Sequence, residues 1–368
     1  MRSEKTVVEI QLDALTHNLN VVKSKIKGKA NCIAVVKANA YGHGAVEVAS
    51  HLESEGVSWF GVAFVNEAVE LRNNRIKGSI LVFFEPEPTI DIFFKHNLIP
   101  VIHDWKTALA FSEAACKYNR YFPVHLNIDT GMGRLGFQLN TAVAHILKIG
   151  NLKNLPLHGI MTHLANADLA DKNFSHQQLQ YFSNTVNVLS QNGINFKHIH
   201  MANSAAVLDF PDAHFNMVRP GIMLYGYGPS DDRVELKPVM TLKSQIIFLK
   251  KVPPQTPISY GSTFKTTRES LIATVALGYA DGYNRLLSNR GEVIVRCKRV
   301  PIAGRVCMDL FMIDVTEIDG VALDDEVILI GSQGNEKITA TEIAAQIGTI
   351  SYDVLTSISP FLKRVYIK

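Results

Sequence analysis

The sequence of 368 residues predicts an α/β fold. It reads as a (β/α)8 barrel of the TIM type followed by a mostly-β C-terminal domain. Three observations carry this. From residue 30 to about 225, a short apolar run, a loop and a helix-period segment recur eight times, as in a barrel of alternating strands and helices. No GxGxxG turn follows the first of these strands, which counts against an open doubly wound sheet. After about residue 235, Pro238, Pro253, Pro254 and Pro257 punctuate a series of short strand-like runs, the texture of a separate β domain.

Taken in order, Thr6–Leu12 alternates in polarity and precedes the barrel pattern, so it is expected to join the C-terminal domain. Leu15–Lys25 reads as a helix. The eight barrel strands are expected at Cys32–Val36, Trp59–Phe64, Ile80–Phe84, Leu98–Ile102, Pro123–Ile128, Leu157–Thr162, His198–Met201 and Met217–Tyr225. Helical segments such as Trp105–Lys117 and His176–Gln191 lie between them. The later strands are expected at Thr241–Leu249, Leu271–Leu277, Val293–Val295, Val300–Ala303, Phe311–Val315, Val327–Ile330 and Phe361–Ile367. Only Thr341–Ile347 reads as a helix there. Residues 13–235 therefore form the expected barrel and 236–368 the C-terminal domain, with strand 6–12 added to it.

Composition narrows the function. Apolar residues make up 47% and charged residues 19%, enough for a large core and too apolar for extensive disorder. A net charge of +3 gives no reason to expect nucleic acid or a membrane surface as partner. Cys32, Cys116, Cys297 and Cys307 show no CxxC pairing, so neither a metal site nor a disulfide scaffold is expected. The first residues alternate rather than forming the apolar core of a signal peptide, and no apolar run reaches the roughly 20 residues of a membrane span. A cytoplasmic, reducing setting is the expectation.

Lys37 carries the sharpest chemical signal. It ends the run Ile33-Ala34-Val35-Val36, at the strand end where barrel enzymes place catalytic groups. A lysine there can lose hydration and basicity, form an imine with an aldehyde, and accept a proton. A lysine snorkelling from a strand end is the competing reading.

The flanking sequence, Ala34-Val35-Val36-Lys37-Ala38-Asn39-Ala40-Tyr41-Gly42-His43-Gly44, resembles the cofactor-lysine motif of bacterial alanine racemases. Further matches follow in order along nearly the whole chain. The resemblance implies a pyridoxal 5'-phosphate enzyme of fold-type III, with Tyr41 among its cofactor contacts. It also implies a homodimer whose active sites are shared between subunits.

Asp129-Thr130-Gly131-Met132-Gly133-Arg134-Leu135-Gly136 follows the fifth strand. Arg134 offers a fixed fork of donors for a carboxylate, although it could be a surface-loop arginine. The resemblance assigns it the substrate carboxylate and the cofactor phenolic oxygen. Many members carry a carbamylated lysine seven positions earlier, where this chain has Asn127. Asparagine cannot supply that negative charge. A bound chloride near Asn127, or Asn127 alone, is the expected substitute.

Past the sixth strand, His163 lies in Met161-Thr162-His163-Leu164-Ala165, and the resemblance sets it against the cofactor ring; a structural histidine is the alternative. In His200-Met201-Ala202-Asn203-Ser204-Ala205, Ser204 opens a helix, so it either caps that helix or holds a phosphate. Arg219-Pro220-Gly221-Ile222 ends the eighth strand, where barrel phosphate sites form. The amides of Gly221 and Ile222 suit a phosphate, with Ser204 and Tyr352 added by the resemblance. The resemblance also aims Arg219 at the cofactor pyridine nitrogen. A guanidinium holds its proton, so that nitrogen should stay unprotonated, which weakens the cofactor as an electron sink and disfavours transamination. A buried ion-pair role for Arg219 is the alternative.

The later segments around Tyr260, Tyr279 and Met308 read, by themselves, as turns with aromatic residues. The resemblance makes Tyr260 the second base, facing Lys37 from the other subunit. A phenol ordinarily titrates near 10, so it needs cationic or donor neighbours to work near neutrality. Tyr279 and Met308 would then narrow the substrate entrance. The activity expected is interconversion of L- and D-alanine, supplying D-alanine for peptidoglycan. Lys37 would serve the D-isomer and Tyr260 the L-isomer. A decarboxylase would favour an acidic partner for the ring nitrogen. A broader serine racemase differs only in pocket packing. A non-catalytic cofactor carrier would resemble the barrel alone, without Tyr260, Met308 and Tyr352.

Overall fold

A computed structural model of the chain describes residues 5–26, 28, 30–85, 89–228 and 234–368. The first ten strands are β1 (Val7–Gln11), β2 (Asn31–Val35), β3 (Trp59–Val62), β4 (Ser79–Val82), β5 (Ile99–Ile102), β6 (Val124–Asp129), β7 (Phe137–Gln138), β8 (Leu157–Met161), β9 (His198–His200) and β10 (Met217–Val218). Strands β2, β3, β4, β5, β6, β8, β9 and β10 pair in that order, all parallel, and β10 closes on β2. The result is a closed eight-stranded barrel, and β7 adds a short edge to β6. Barrel strands are covered on both faces, so five consecutive residues of β6, Val124–Ile128, are buried.

The remaining strands are β11 (Met240–Val252), β12 (Pro257–Ile258), β13 (Phe264–Lys265), β14 (Ser270–Val275), β15 (Glu292–Val295), β16 (Lys298–Pro301), β17 (Phe311–Asp314), β18 (Glu326–Gln333), β19 (Glu336–Ile338) and β20 (Lys363–Ile367). Strands β12 and β13 pair only with each other; the rest build a mostly antiparallel sheet around β11, whose first eight residues alternate strictly between buried and half-buried. Strand β1 lies in this sheet, antiparallel to β11 and parallel to β20. One continuous apolar core runs through both parts of the chain. A small satellite of Val252, Ile258, Ile272 and Ala303 sits apart from it.

Besides the short strands β7, β12, β13 and β19, which the sequence reading did not expect, two differences bear on the cavity. The run Met217–Tyr225 is extended only at Met217–Val218 and then turns into a 3-10 segment, Ile222–Tyr225. Pro220 has no N–H for a ladder, and its carbonyl accepts instead from Val35 N at 3.0 Å. The second difference is a short helix, Ser351–Ser357, between the helix Ala340–Ile347 and β20. It has only seven residues, no side-chain cap, and just Val354 and Leu355 buried, so it leaves little helical periodicity to read.

Candidate active site

Lys37 stands two residues beyond the end of β2, on the face where the strands end. The residues after it are unusual. Ala38, Asn39, Ala40 and Tyr41 hold φ values of 51°, 53°, 52° and 54°, one turn of left-handed helix built from L-residues. Such a turn costs roughly 1–2 kcal/mol per residue. Several bonds offset that cost. Ala38 N donates to Glu67 Oε1 at 2.5 Å, and Asn39 Oδ1 accepts from Ala45 N at 2.8 Å. His43 Nδ1–H is shared between the carbonyls of Ala40 and Tyr41, both at 3.0 Å. From the far end of the chain, Arg364 Nε donates to Gly42 O at 2.8 Å.

The turn faces a cavity of about 180 Å³. Lys37, Tyr41, Arg134, His163, Asn203, Ser204, Arg219, Gly221, Ile222 and Tyr352 all line it, so these sequence-predicted residues are brought together. Burial, and then the charge of Arg134, push the Lys37 amine below its ordinary value; Glu67 opposes this. Phe84 lies beneath both cations, 5.8 Å from Lys37 Nζ and 5.0 Å from the Arg134 guanidinium carbon.

Arg219 is buried and makes a dense set of bonds. It donates to His200 Nδ1 at 2.9 Å, Thr162 O at 2.7 Å and Met201 O at 3.1 Å, with His163 Nδ1 at 3.4 Å. Burial, helped by Arg134, pushes its guanidinium down to about 9, which still leaves it protonated at neutral pH. Burial and the cations Arg219, Arg134 and Lys37 push His163 down to about 3, so it stays neutral.

Asn203, not Ser204, caps the helix Ser204–Asp209, its Oδ1 accepting from Ala206 N at 3.1 Å. The Ser204 hydroxyl oxygen accepts from Gly221 N at 2.9 Å and Met223 N at 3.3 Å. Two donors occupy its lone pairs, so its own hydrogen is free to be donated. A Cβ at Gly221 would sit 2.3 Å from Tyr41 Oη, so only glycine admits that phenol. Burial raises the Tyr41 and Tyr352 phenols, the latter to about 12, and keeps both as hydrogen-bond donors at neutral pH.

Asn127 also lines the cavity. Its Nδ2 donates to Leu135 O at 2.6 Å, within the loop that carries Arg134. Its buried Oδ1 has no partner among the described residues.

Tyr260, Tyr279 and Met308 do not line this cavity. Their three loops gather elsewhere, on the C-terminal domain. Tyr279 N donates to Cys307 O and Ala280 N to Met308 O, both at 2.9 Å, while Ser259 Oγ donates to Arg305 O at 2.7 Å. Tyr260 is 70% and Met308 54% exposed, a solvent-facing pair held by a well-bonded base.

Sequence reading did not single out Glu67, Phe84, His103, His125 or Arg364. Phe84 and His103 lie just past β4 and β5, so their position after a barrel strand was the available signal. Glu67 stands three residues after Phe64 and takes that residue's N–H in capping-box fashion. Nothing local marks the link from Arg364 to the lysine turn, because its partner there, Gly42 O, lies 322 positions away, while its other carbonyl partners are near neighbours in sequence.

Comparison with known proteins identifies the family. A family model described as the alanine racemase N-terminal domain matches residues 10–229, and the alanine racemase C-terminal domain matches residues 239–366. The chain is 46% identical to the alanine racemase of Halothermothrix orenii over 365 residues, 98% of this chain and 96% of that one. The solved alanine racemase of Clostridium difficile 630 superposes with a TM-score of 0.95 at 39% identity, covering 99% of this chain and 96% of that one. That of Bartonella henselae, with covalently bound pyridoxal phosphate, has a TM-score of 0.90 at 29% identity, covering 99% and 100%. Among the described residues no helix is long and apolar enough to cross a membrane, and no group of three or more His, Cys, Asp or Glu could hold a metal ion. With matches across nearly its full length, the chain belongs to the alanine racemase family, isomerases that act on amino acids.

Proposed function

We propose that this chain interconverts L- and D-alanine using pyridoxal 5'-phosphate, with Lys37 and Tyr260 as the two proton-transfer bases. The observation that carries the reading is Lys37, half-buried at a barrel strand end and depressed in basicity beside Arg134, in a cavity lined with donors. The residues present fit the cofactor. The free Ser204 hydrogen, the Tyr41 and Tyr352 phenols and the amide of Ile222 suit its phosphate, whereas the Gly221 amide is spent on Ser204 Oγ and holds that hydroxyl in place. Arg219 suits its ring nitrogen and His163 its ring. When bound, the cofactor supplies an aldehyde for the lysine and an electron sink for the α-carbon.

The protein's own groups do the rest. Lys37, less basic than an exposed lysine, is a nucleophile near neutrality and afterwards accepts or returns the α-proton on one face. Arg219 keeps its protons, so the ring nitrogen beside it stays unprotonated and charge is not drawn deep into the ring. Arg134, held over Phe84, binds the substrate carboxylate. A chloride beside Asn127 orients that guanidinium, since Asn127 Oδ1 itself makes no hydrogen bond to it. Tyr260 handles the proton on the opposite face, with Tyr279 and Met308 at the entrance.

Tyr260, Tyr279 and Met308 are absent from the lining of the cavity in their own chain. A homodimer in which each copy offers these loops to the other's cavity accounts for their exposure and their rigid base. Residues 13–235 are then the cofactor barrel and 236–368 the second domain, joined by strand 6–12; the pairing of β1 with β11 and β20 supports that division. A cytoplasmic setting and a role in supplying D-alanine for peptidoglycan complete the reading.

The deciding experiment is a coupled assay on purified D- and L-alanine, with serine alongside, combined with borohydride trapping of the cofactor on Lys37. Conversion in both directions with trapped cofactor supports the proposal. Trapping without turnover would leave a carrier. Tyr260→Phe is expected to keep the cofactor but to lose nearly all turnover both ways; substantial bidirectional activity in that variant contradicts the two-base assignment.

A further inference from the structure

We propose that His125 is a positioning residue for Arg219: by accepting from His200 Nε2, it keeps His200 in the one tautomer that can accept from the guanidinium. This deepens the reading of Arg219 as the partner of the cofactor ring nitrogen, and rests on it.

Arg219 can only donate. Its Nη1 lies 2.9 Å from His200 Nδ1, so that nitrogen must present a lone pair. A neutral His200 then carries its proton on Nε2. That atom lies 2.8 Å from His125 Nδ1, which therefore accepts. His125, neutral in turn, holds its own proton on Nε2, where no acceptor is present among the described residues. Both rings are fully buried, and burial together with the Arg219 charge disfavours their protonation. The three residues form a one-way line of donors leading away from the cavity. Its end point, His125 Nδ1, is what stops His200 from turning its N–H toward Arg219.

The site for the His125 ring is built into the barrel. Gly159 on β8 stands opposite His125 in register, and a Cβ there would lie 2.3–2.4 Å from the ring atoms Nδ1, Cε1 and Cγ. His198 stacks on the ring at 5.6 Å, and Trp59 lies at 5.8 Å. A small residue on one strand and aromatic rings from two others hold the imidazole in one place. A bulky apolar side chain would fill this space with less chemical consequence, yet an imidazole occupies it.

The test uses full-length holoenzyme labelled with 15N in histidine, and three variants: His125→Asn, His125→Leu and Gly159→Ala. Asparagine keeps an acceptor close to the place of Nδ1; leucine removes it; alanine at 159 pushes the ring away without altering His125. Solid-state 15N spectra report the His200 tautomer, its signals identified by their loss in His200→Gln. The parent and His125→Asn should show His200 protonated at Nε2 alone. His125→Leu and Gly159→Ala should lose that single form, shift the absorption maximum of the bound cofactor, and lower kcat roughly ten- to a hundredfold with little change in KM for alanine. Retention of the parent spectra and kcat in both of the latter variants overturns the proposal, as does His125→Asn behaving like His125→Leu. If the leucine variant does not fold, Gly159→Ala decides. Borohydride trapping is run on every sample. A parent that traps no cofactor sinks the reading of the site itself, whereas trapping with an unchanged His200 tautomer sinks only the role of His125.

Discussion

Gly42 and Gly193 allow the strain in the Lys37 turn to be measured against an internal control. Both have nearly the same backbone, with φ of +85° and +84°. Their surroundings differ. A Cβ at Gly42 would lie 2.4 Å from Leu355 O, a backbone atom of the helix that carries Tyr352, whereas at Gly193 nothing lies within 4 Å. Alanine at Gly193 should therefore cost only the left-handed conformation, about 1–2 kcal/mol. Alanine at Gly42 should cost that plus about 1–3 kcal/mol of overpacking. The excess falls on the contact between the lysine turn and the Ser351–Ser357 helix, both of which contribute to the cavity. Borne wholly by the cofactor-bound form, an excess of about 2 kcal/mol corresponds to at most roughly a thirtyfold weaker cofactor Kd; shared with the free form, it shows as a lower Tm instead. The assay is equilibrium titration of cofactor-stripped enzyme with pyridoxal phosphate, followed by absorbance, beside thermal unfolding. Gly193→Ala should lower Tm slightly and leave Kd unchanged. Equal Kd and equal Tm in the two variants would refute the argument that the turn is packed against that helix.

Three further outcomes are expected. Burial holds His43 at about 4 and His163 at about 3, while a histidine in the unfolded chain titrates near 6.5. Because these folded values are depressed, the unfolded chain binds more protons in that window, so stability should fall as pH drops below about 6.5, by about 1.4 kcal/mol per pH unit for each group. Urea unfolding of cofactor-free protein from pH 7 to 4.5 checks this, and His43→Gln should flatten the slope by one group's share. Arg364→Met removes the guanidinium that binds Gly42 O and the carbonyls of Ser359 and Leu362, so cofactor should be retained at least tenfold less tightly after dialysis. Crystals grown in bromide should show an anomalous peak between Asn127 and Arg134; its absence contradicts the chloride reading.

The barrel was legible because its signal is repetitive. Strands buried on both faces read as apolar runs, and eight of them at regular spacing leave few alternative topologies. Lys37, Arg134, Ser204 and Arg219 each follow a barrel strand, which made them candidates, but position alone left a snorkelling lysine, a loop arginine, a helix cap and a buried ion pair as alternatives; the resemblance of their motifs to those of alanine racemases singled them out. The helix Ser351–Ser357 was not, because seven residues with two buried positions carry almost no period. The left-handed turn after Lys37 was hidden as well. Ala38, Ala40 and Tyr41 have no preference for positive φ, and tertiary bonds from Glu67 and Arg364, with a local one from His43, help to hold them there. The ring of His125 read as part of an ordinary strand, because its partner lies 75 positions away and only the pairing of β6, β8 and β9 brings them together.

Subunit complementation tests the central claim most directly. Chains carrying Lys37→Ala and chains carrying Tyr260→Phe are each expected to be inactive as homodimers. Mixed and allowed to exchange in equal amounts, they form heterodimers in which one cavity receives an intact lysine and an intact phenol from different chains. About half of the dimers would then hold one working site of two, restoring about a quarter of the parent activity in both directions. A mixture that stays as inactive as its components, with exchange verified by mass, would contradict the pairing of Lys37 with Tyr260 across two chains.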